Sequence, residues 1–85
     1  MHLTIYFIVV FEMKEYFAKK IRALTMYERR VLAERVGKKV QYINNLAYTS
    51  AGASPEMANK LHKASGGYLD RKEMCPNIDW DKFGD

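Results

Sequence analysis

Apolar residues in the middle of the chain recur at the spacing of two short helices that meet at Gly37. Each helix gathers its apolar residues on one face, at Leu32, Ala33 and Val36 and again at Ile43, Leu46 and Ala47. That spacing is typical of amphipathic helices that pack by one side. Ala33 allows the helices to approach closely, and a glycine accepts the left-handed backbone of a tight corner. The pattern predicts a helix-turn-helix within Glu28 to Leu46.

The same periodicity predicts a helix before this motif. It runs from about Met13 to Leu24, with Phe17, Ile21 and Leu24 towards the core and Lys14, Lys19, Lys20 and Arg22 towards water. Thr25 and Glu28 match a capping box, which marks the start of the second helix. That helix ends at Gly37, and a third follows from about Lys39 to Tyr48.

Further helices are predicted towards the end of the chain. Ser54 and Pro55 suit the N-cap and first turn of a fourth helix. Its core face is Met57, Ala58, Leu61 and Ala64, and Gly66 and Gly67 end it. A last short helix starts at Asp70, where Asp70 and Glu73 resemble another capping box, and Pro76 closes it. Trp80 is expected to pack back on the domain.

These elements predict an all-α fold, a compact domain of four or five helices over residues 13–85 after an apolar extension at 1–12. The chain has 85 residues, of which 48% are hydrophobic and 28% charged. Such a chain suits one globular domain with a modest core. We expect no large catalytic cleft.

The extension is an almost unbroken apolar run from Leu3 to Phe11. It is too short to span a bilayer and lacks the features of a secretory signal, so no membrane partner is expected. Its composition favours a strand, yet no second strand pattern follows. It could pair with its copy in a homodimer, pack as an arm over the helices, or be an extension upstream of a start at Met13. We favour the last origin and leave its conformation open.

The polar face of the third helix carries the amides Gln41, Asn44 and Asn45. Amide side chains pair in two directions with the edge of adenine in a major groove. Between Met13 and Ser65 there are eleven Lys or Arg residues against four Glu, a net charge of +7, whereas Gly66 to Asp85 has a net charge of −2. Basic charge around the motif attracts the phosphate backbone. These features predict binding to double-stranded DNA.

Other chemistry is sparse. The single cysteine, Cys75, cannot form an intramolecular disulfide and suits a reducing cytoplasm. His2 and His62 belong to no metal-ligand spacing, so neither a metal nor another cofactor is expected. No catalytic constellation or phosphate loop is present in the sequence, and we expect a protein that is not an enzyme.

The sequence resembles the Cro-type and YdaS-type phage regulators, which share the lambda-repressor-like helix-turn-helix architecture. The resemblance covers Met13 to Phe83. It rests on LAERVG, YINNLA, ASPEMANKLHKASGG and the ending DRKEMCPNIDW. It implies a four- or five-helix domain, DNA binding through the second helix of the motif, and repression of a prophage or toxin-antitoxin operon.

The chain departs from that family directly after the corner glycine. An apolar residue and then Ser or Thr are usual there, whereas this chain has Lys38 and Lys39. Loss of the Ser or Thr removes the usual N-cap of the recognition helix and should cost roughly 0.5 to 2 kcal/mol of local stability. A phosphate against that helix end would neutralise both lysines, although two exposed lysines can equally be a solvated patch.

The predicted recognition helix, about 39–48, lies in the major groove. The predicted DNA-binding residues are Arg29, Arg30, Lys38, Lys39, Gln41, Asn44, Asn45, Tyr48, Thr49 and Ser50. The three amides read bases and the others hold the backbone. The alternative is an antitoxin that mainly binds and neutralises a toxin protein, with Trp80, Phe83 and the acidic tail as its docking segment.

Overall fold

The computed structural model describes residues 15–49 and 52–83, and all regular structure in these ranges is helical. The all-α prediction is confirmed. Helix α1 covers 15–22 of the described chain, and the helices that follow are α2 (Met26–Arg35), α3 (Val40–Tyr48), α4 (Pro55–Ala64), α5 (Arg71–Met74) and α6 (Trp80–Phe83). The extension at 1–12, the predicted first turn at Met13 and Lys14, and Ser50 lie outside the described residues. Sequence periodicity does not predict α6, because four residues are too few to show it.

The core draws on every predicted apolar face. Its buried residues are Phe17, Ile21, Leu32, Ala33, Val36, Ile43, Leu46, Ala47, Ala58, Leu61, Leu69, Met74 and Trp80. Leu24, Met57 and Ala64 are partly buried and pack against this core. Helix α2 packs mainly on α3, and α4 packs on α5 and α2. The inner face of α3 is therefore packed against α2, while its opposite face is directed away from the core.

The corner between α2 and α3 needs a glycine. Gly37 has a φ of 73°, in the left-handed region that residues with a Cβ rarely adopt. Two hydrogen bonds close the turn, from the Gly37 N–H to Glu34 O at 3.1 Å and from the Lys38 N–H to Ala33 O at 2.9 Å. The predicted glycine corner is confirmed, and it turns the chain within four residues, 36–39.

The three predicted N-caps are confirmed, whereas the second predicted capping box is wrong. Thr25 and Glu28 form both halves of a capping box, and Ser54 accepts from the Met57 N–H. Asp70 caps α5 by accepting from the Lys72 N–H at 2.9 Å. Glu73 does not complete a second box, because its carboxylate instead pairs with Lys20 at 3.4 Å.

Two cations of α1 do more than face water. Lys20 donates to Tyr68 O and lies 4.6 Å from the ring centroid of Tyr16. Arg22 donates to Glu15 at 2.7 Å and to the carbonyl of Ala47, in the last turn of α3. Helix α1 is therefore tied to the C-terminal end of α3, which periodicity alone did not predict.

The C-terminal aromatic residues pack back on the domain, as predicted for Trp80. Its indole N–H donates to Cys75 O at 3.0 Å, and the Arg71 guanidinium lies 5.2 Å from the ring. Phe83 packs against Trp80 edge to face, with 4.8 Å between the ring centroids. Arg71 also donates to the buried amide of Asn59. The short helices α5 and α6 thus close the core against α4.

Candidate nucleic-acid interface

The outer face of α3 is a polar stripe one helix long. Gln41, Asn44, Asn45 and Tyr48 lie at i, i+3, i+4 and i+7, which places them on one side of the helix. Gln41, Asn45 and Tyr48 are exposed and Asn44 is half-buried. Opposite them Ile43, Leu46 and Ala47 are buried in the core. The same short helix is therefore anchored on one side and presents hydrogen-bonding groups on the other.

The N-terminal end of α3 is basic and has no side-chain cap. Lys39 is the N-cap residue, with an extended backbone and no hydrogen bond from its side chain to the first turn. Lys38 is exposed beside it, and its ammonium lies 5.5 Å from the ring centroid of Tyr42. Cations at this end oppose the helix dipole. The predicted loss of the N-cap is confirmed, and Tyr42, four residues from Lys38, is a supporting residue that the sequence prediction missed.

Arg29 occupies a different position from the one predicted. It is only 7% exposed, and its guanidinium points into the junction of α1, α2 and α3. Its donors reach Ile21 O at 3.2 Å, Arg22 O at 3.0 Å, Asn44 Oδ1 at 3.1 Å, Tyr48 Oη at 3.3 Å and Met26 Sδ at 3.9 Å. A guanidinium has five N–H groups, so each of them has a partner. Arg29 has no donor left for a phosphate, and its role as a backbone contact is corrected.

The carbonyls that Arg29 binds lie at the C-terminal end of α1, where the partial charge of a helix is negative and the last carbonyls lack helical partners. The cation therefore compensates the end of α1 while it holds two side chains of α3. The Tyr48 ring covers the guanidinium, with 5.5 Å from its centroid to the carbon of the group. This network fixes the outer face of α3 relative to α1.

Asn44 lies on the polar face of α3, as predicted, but its side chain does not simply face water. Its Oδ1 is the acceptor for Arg29, and Asn44 is only partly exposed. Asn45 and Gln41 are exposed, and neither side chain has a hydrogen bond to another described residue. Of the three amides predicted to read bases, Asn44 is therefore held by a hydrogen bond from Arg29, whereas Gln41 and Asn45 are not held by another side chain.

The remaining predicted residues lie around the ends of α3. Tyr48 is 63% exposed even though its hydroxyl accepts from Arg29. The Thr49 hydroxyl donates to Asn45 O at 2.6 Å, in the last turn of the helix. Arg30 is exposed on α2, next to the buried Arg29. The structure thus places the exposed residues of the predicted set on or beside α3, except for Arg30, which lies in the middle of α2.

An open groove lies away from this face. It has a volume of about 480 Å³ and lies between α2 and the end of α4, lined by Leu24, Tyr27, Val31, Arg35, Ala64 and Tyr68 among others. No residue of α3 lines it. Tyr27 at its edge is 75% exposed. The groove is separate from the polar stripe on α3.

Within the described residues, no group of three His, Cys, Asp or Glu side chains is placed to hold a metal ion. None of the helices in that part of the chain has the length and apolar character needed to cross a membrane. Neither a protein-family model, nor a curated protein sequence, nor a solved structure matches the chain.

Proposed function

We propose that this chain is a sequence-specific DNA-binding transcription regulator, a Cro-like repressor of the kind that its sequence resembles. The observation that carries the proposal is the two-sided character of α3. One side is buried against α2, and the other presents Gln41, Asn44, Asn45 and Tyr48 outward. An α-helix with such a face fits the width of the major groove. We propose that α2 and α3 form the helix-turn-helix and that α3 is its recognition helix.

The cations around α3 support the proposal electrostatically. Lys38 and Lys39 are exposed at the N-terminal end of α3, and Arg30 is exposed in the middle of α2. Phosphates bind at helix N-termini through backbone N–H groups and the helix dipole. In this interface the lysines contact phosphates, and Gln41 and Asn45 contact base edges. Arg29 belongs to the support of α3 and not to the contact surface.

An antitoxin would have to bind its toxin through a surface other than the Trp80 ring. Its predicted docking segment is Trp80, Phe83 and the acidic tail, and in the structure the Trp80 ring packs on Phe83 and lies 5.2 Å from the Arg71 guanidinium. Trp80 is 8% exposed, so its ring is already part of the core.

The salt dependence of binding tests the proposal. Each phosphate contact that is lost should reduce the slope of log K against log salt concentration by about one. Lys38→Ala with Lys39→Ala should therefore flatten the slope and weaken binding to all duplexes alike. The matched control, Lys72→Ala with Lys82→Ala, removes the same charge from α5 and α6 and should leave the slope nearly unchanged. Equal slopes for the parent and both variants would show that the end of α3 does not contact DNA.

A further inference from the structure

We infer that Asn44 presents only hydrogen-bond donors to the major groove and therefore selects guanine over adenine. The inference rests on the proposed function, since it names the base that one residue of the interface reads. It differs from the prediction made from sequence, which assigned adenine to all three amides. The difference comes from Arg29, whose position the sequence did not reveal.

The orientation of the Asn44 amide is set by the chemistry of its neighbour. A guanidinium carries donors and no acceptor, so the group that faces it must be an acceptor. Arg29 Nη1 lies 3.1 Å from Asn44 Oδ1. The amide nitrogen could not replace the oxygen there, because two donors would then face each other. Asn44 Oδ1 therefore points towards the buried guanidinium and Nδ2 points away from it.

The freed end of the amide is accessible. Asn44 Nδ2 forms no hydrogen bond with another described residue. Among the described residues, Glu73 Oε2 is the only side-chain atom that is both buried and without a hydrogen bond. Asn44 Nδ2 is therefore exposed and not buried. Asn44 lies on the polar stripe between Gln41 and Tyr48. Its two N–H groups are thus the part of the side chain that a ligand on α3 can reach.

Arg29 itself is held firmly enough to maintain this arrangement. Its other donors bind two carbonyls of α1 and the Tyr48 hydroxyl, and the Tyr48 ring covers it. Rotating the Asn44 amide would leave a buried guanidinium N–H without an acceptor, which is costly for a charged group. The amide is therefore preorganised before any DNA binds.

Guanine and adenine differ in the hydrogen-bond donors and acceptors that they present in the major groove. Guanine presents two adjacent acceptors in the major groove, N7 and O6, whereas adenine presents the acceptor N7 beside the donor N6. Bidentate pairing with adenine needs both the oxygen and the nitrogen of an amide. With its oxygen turned towards Arg29, Asn44 turns its nitrogen towards the groove, where the two N–H groups match the two acceptors of guanine, whereas in adenine they meet the N6 donor. Gln41 and Asn45 keep both groups and remain suited to adenine.

The test begins with selection of preferred sites by the full chain from duplexes with a randomised central segment. The base pair read by Asn44 is the one whose preference is lost in Asn44→Ala and kept in Asn45→Ala. We expect guanine at that position. Its replacement by adenine or by 7-deazaguanine should weaken parent binding roughly tenfold to a hundredfold and should have little effect in Asn44→Ala.

Charge-matched variants separate donor loss from a change in fold. Asn44→Asp keeps an acceptor for Arg29 and removes both donors, so it should fold and lose the guanine preference. Asn45→Asp adds the same charge to the same face of α3. It should weaken binding to all duplexes and should keep the preference for guanine. Arg29→Met, if it folds, frees the Asn44 oxygen and should move the preference towards adenine.

Three results would overturn the inference while leaving the proposed function intact. They are selection of adenine at the Asn44 position, retention of every base preference in Asn44→Ala, and an equal loss on all duplexes, as expected for a phosphate contact. Failure of the parent to enrich any sequence would instead overturn sequence-specific DNA binding, and this inference with it.

Discussion

At the scale of single residues, Arg29 shows how a charged side chain becomes part of a core. The residue is 7% exposed and forms no ion pair with a carboxylate in the described ranges, yet every N–H of its guanidinium has an acceptor. Removing such a residue takes the donor away from several partly buried acceptors, so the loss of stability exceeds that for an exposed cation. Arg30, the next residue, is exposed and offers a control of identical chemistry.

We predict that Arg29→Met lowers the free energy of unfolding by about 2 to 4 kcal/mol, since the Ile21 and Arg22 carbonyls lose a charged donor. Arg30→Met should change it by no more than about 0.5 kcal/mol, as is usual for exposed positions. Denaturant unfolding followed by circular dichroism measures both values. Equal effects of the two substitutions would mean that the Arg29 network contributes nothing to stability.

At the scale of elements, the two helices of the proposed motif begin in opposite ways. Helix α2 has a complete capping box, with Glu28 accepting from the Thr25 N–H at 2.9 Å and Thr25 accepting from the Glu28 N–H at 3.1 Å. Helix α3 begins at Lys39 without a side-chain cap. A helix end that lacks a cap keeps backbone N–H groups available for a ligand. The weaker start therefore falls at the end of α3 that we propose contacts DNA.

The Thr25 contacts hold the pKa of Glu28 below its ordinary value of 4.5, because the Thr25 N–H and hydroxyl favour the carboxylate. A depressed folded pKa contributes stability that is complete above pH 4.5 and is lost as the pH falls through the lowered folded value. We predict that Glu28→Gln removes this component of the acid dependence of unfolding. Thr25→Ala removes the hydroxyl but keeps the backbone N–H, which is the larger cause of the lowered pKa, so it should remove only the smaller part of this component. An acid profile identical in the parent and Glu28→Gln would contradict this account.

Because α3 has no side-chain cap, we predict that adding one at residue 39 raises the stability of the fold and lowers the affinity for DNA. Lys39→Ser supplies an acceptor for the first turn and removes a cation from the positive end of the dipole, so it should stabilise the fold by about 0.5 to 2 kcal/mol. It should also weaken binding to any duplex. Lys39→Ala is the control, since it removes the same charge without a capping oxygen and should weaken binding alike while gaining less stability. Thermal unfolding and binding at one fixed salt concentration measure the two effects.

A result in which Lys39→Ser and Lys39→Ala are equally stable would show that residue 39 does not act as an N-cap. A result in which both variants bind DNA as the parent does would remove Lys39 from the interface. The two measurements are independent, so each contact assigned to this residue is tested separately.

At the scale of the whole molecule, local sequence signals predicted the helices and the core better than the contacts between them. The period of apolar residues and the capping residues determine where helices α2 to α4 lie, and the same residues are buried in the structure. Such signals act within a few residues of one another. They suffice for a small helical domain because most of its helices begin or end at a recognisable cap.

The contacts that position α3 could not be predicted in this way. Arg29 joins α2 to residues of α1 and α3, and Lys20 pairs with Glu73, which is 53 residues further along the chain. Each pair depends on how the helices are arranged in three dimensions, and neither has a fixed spacing in sequence. The exposed amides were predicted correctly as a polar face, but the division between Asn44 and Asn45 follows only from the position of Arg29.

The most direct test of the central claim is the binding of Asn45→Ala, measured against a duplex enriched by the parent chain and against a random duplex. Asn45 is exposed and its side chain holds no other described residue, so alanine should leave the fold intact and slightly favour the helix. We predict a loss of roughly 1 to 3 kcal/mol on the enriched duplex and little change on the random one, because a base contact carries sequence information. Parent-like affinity and selectivity in this variant, together with no effect of Gln41→Ala, would show that α3 is not a recognition helix and would contradict the proposed function.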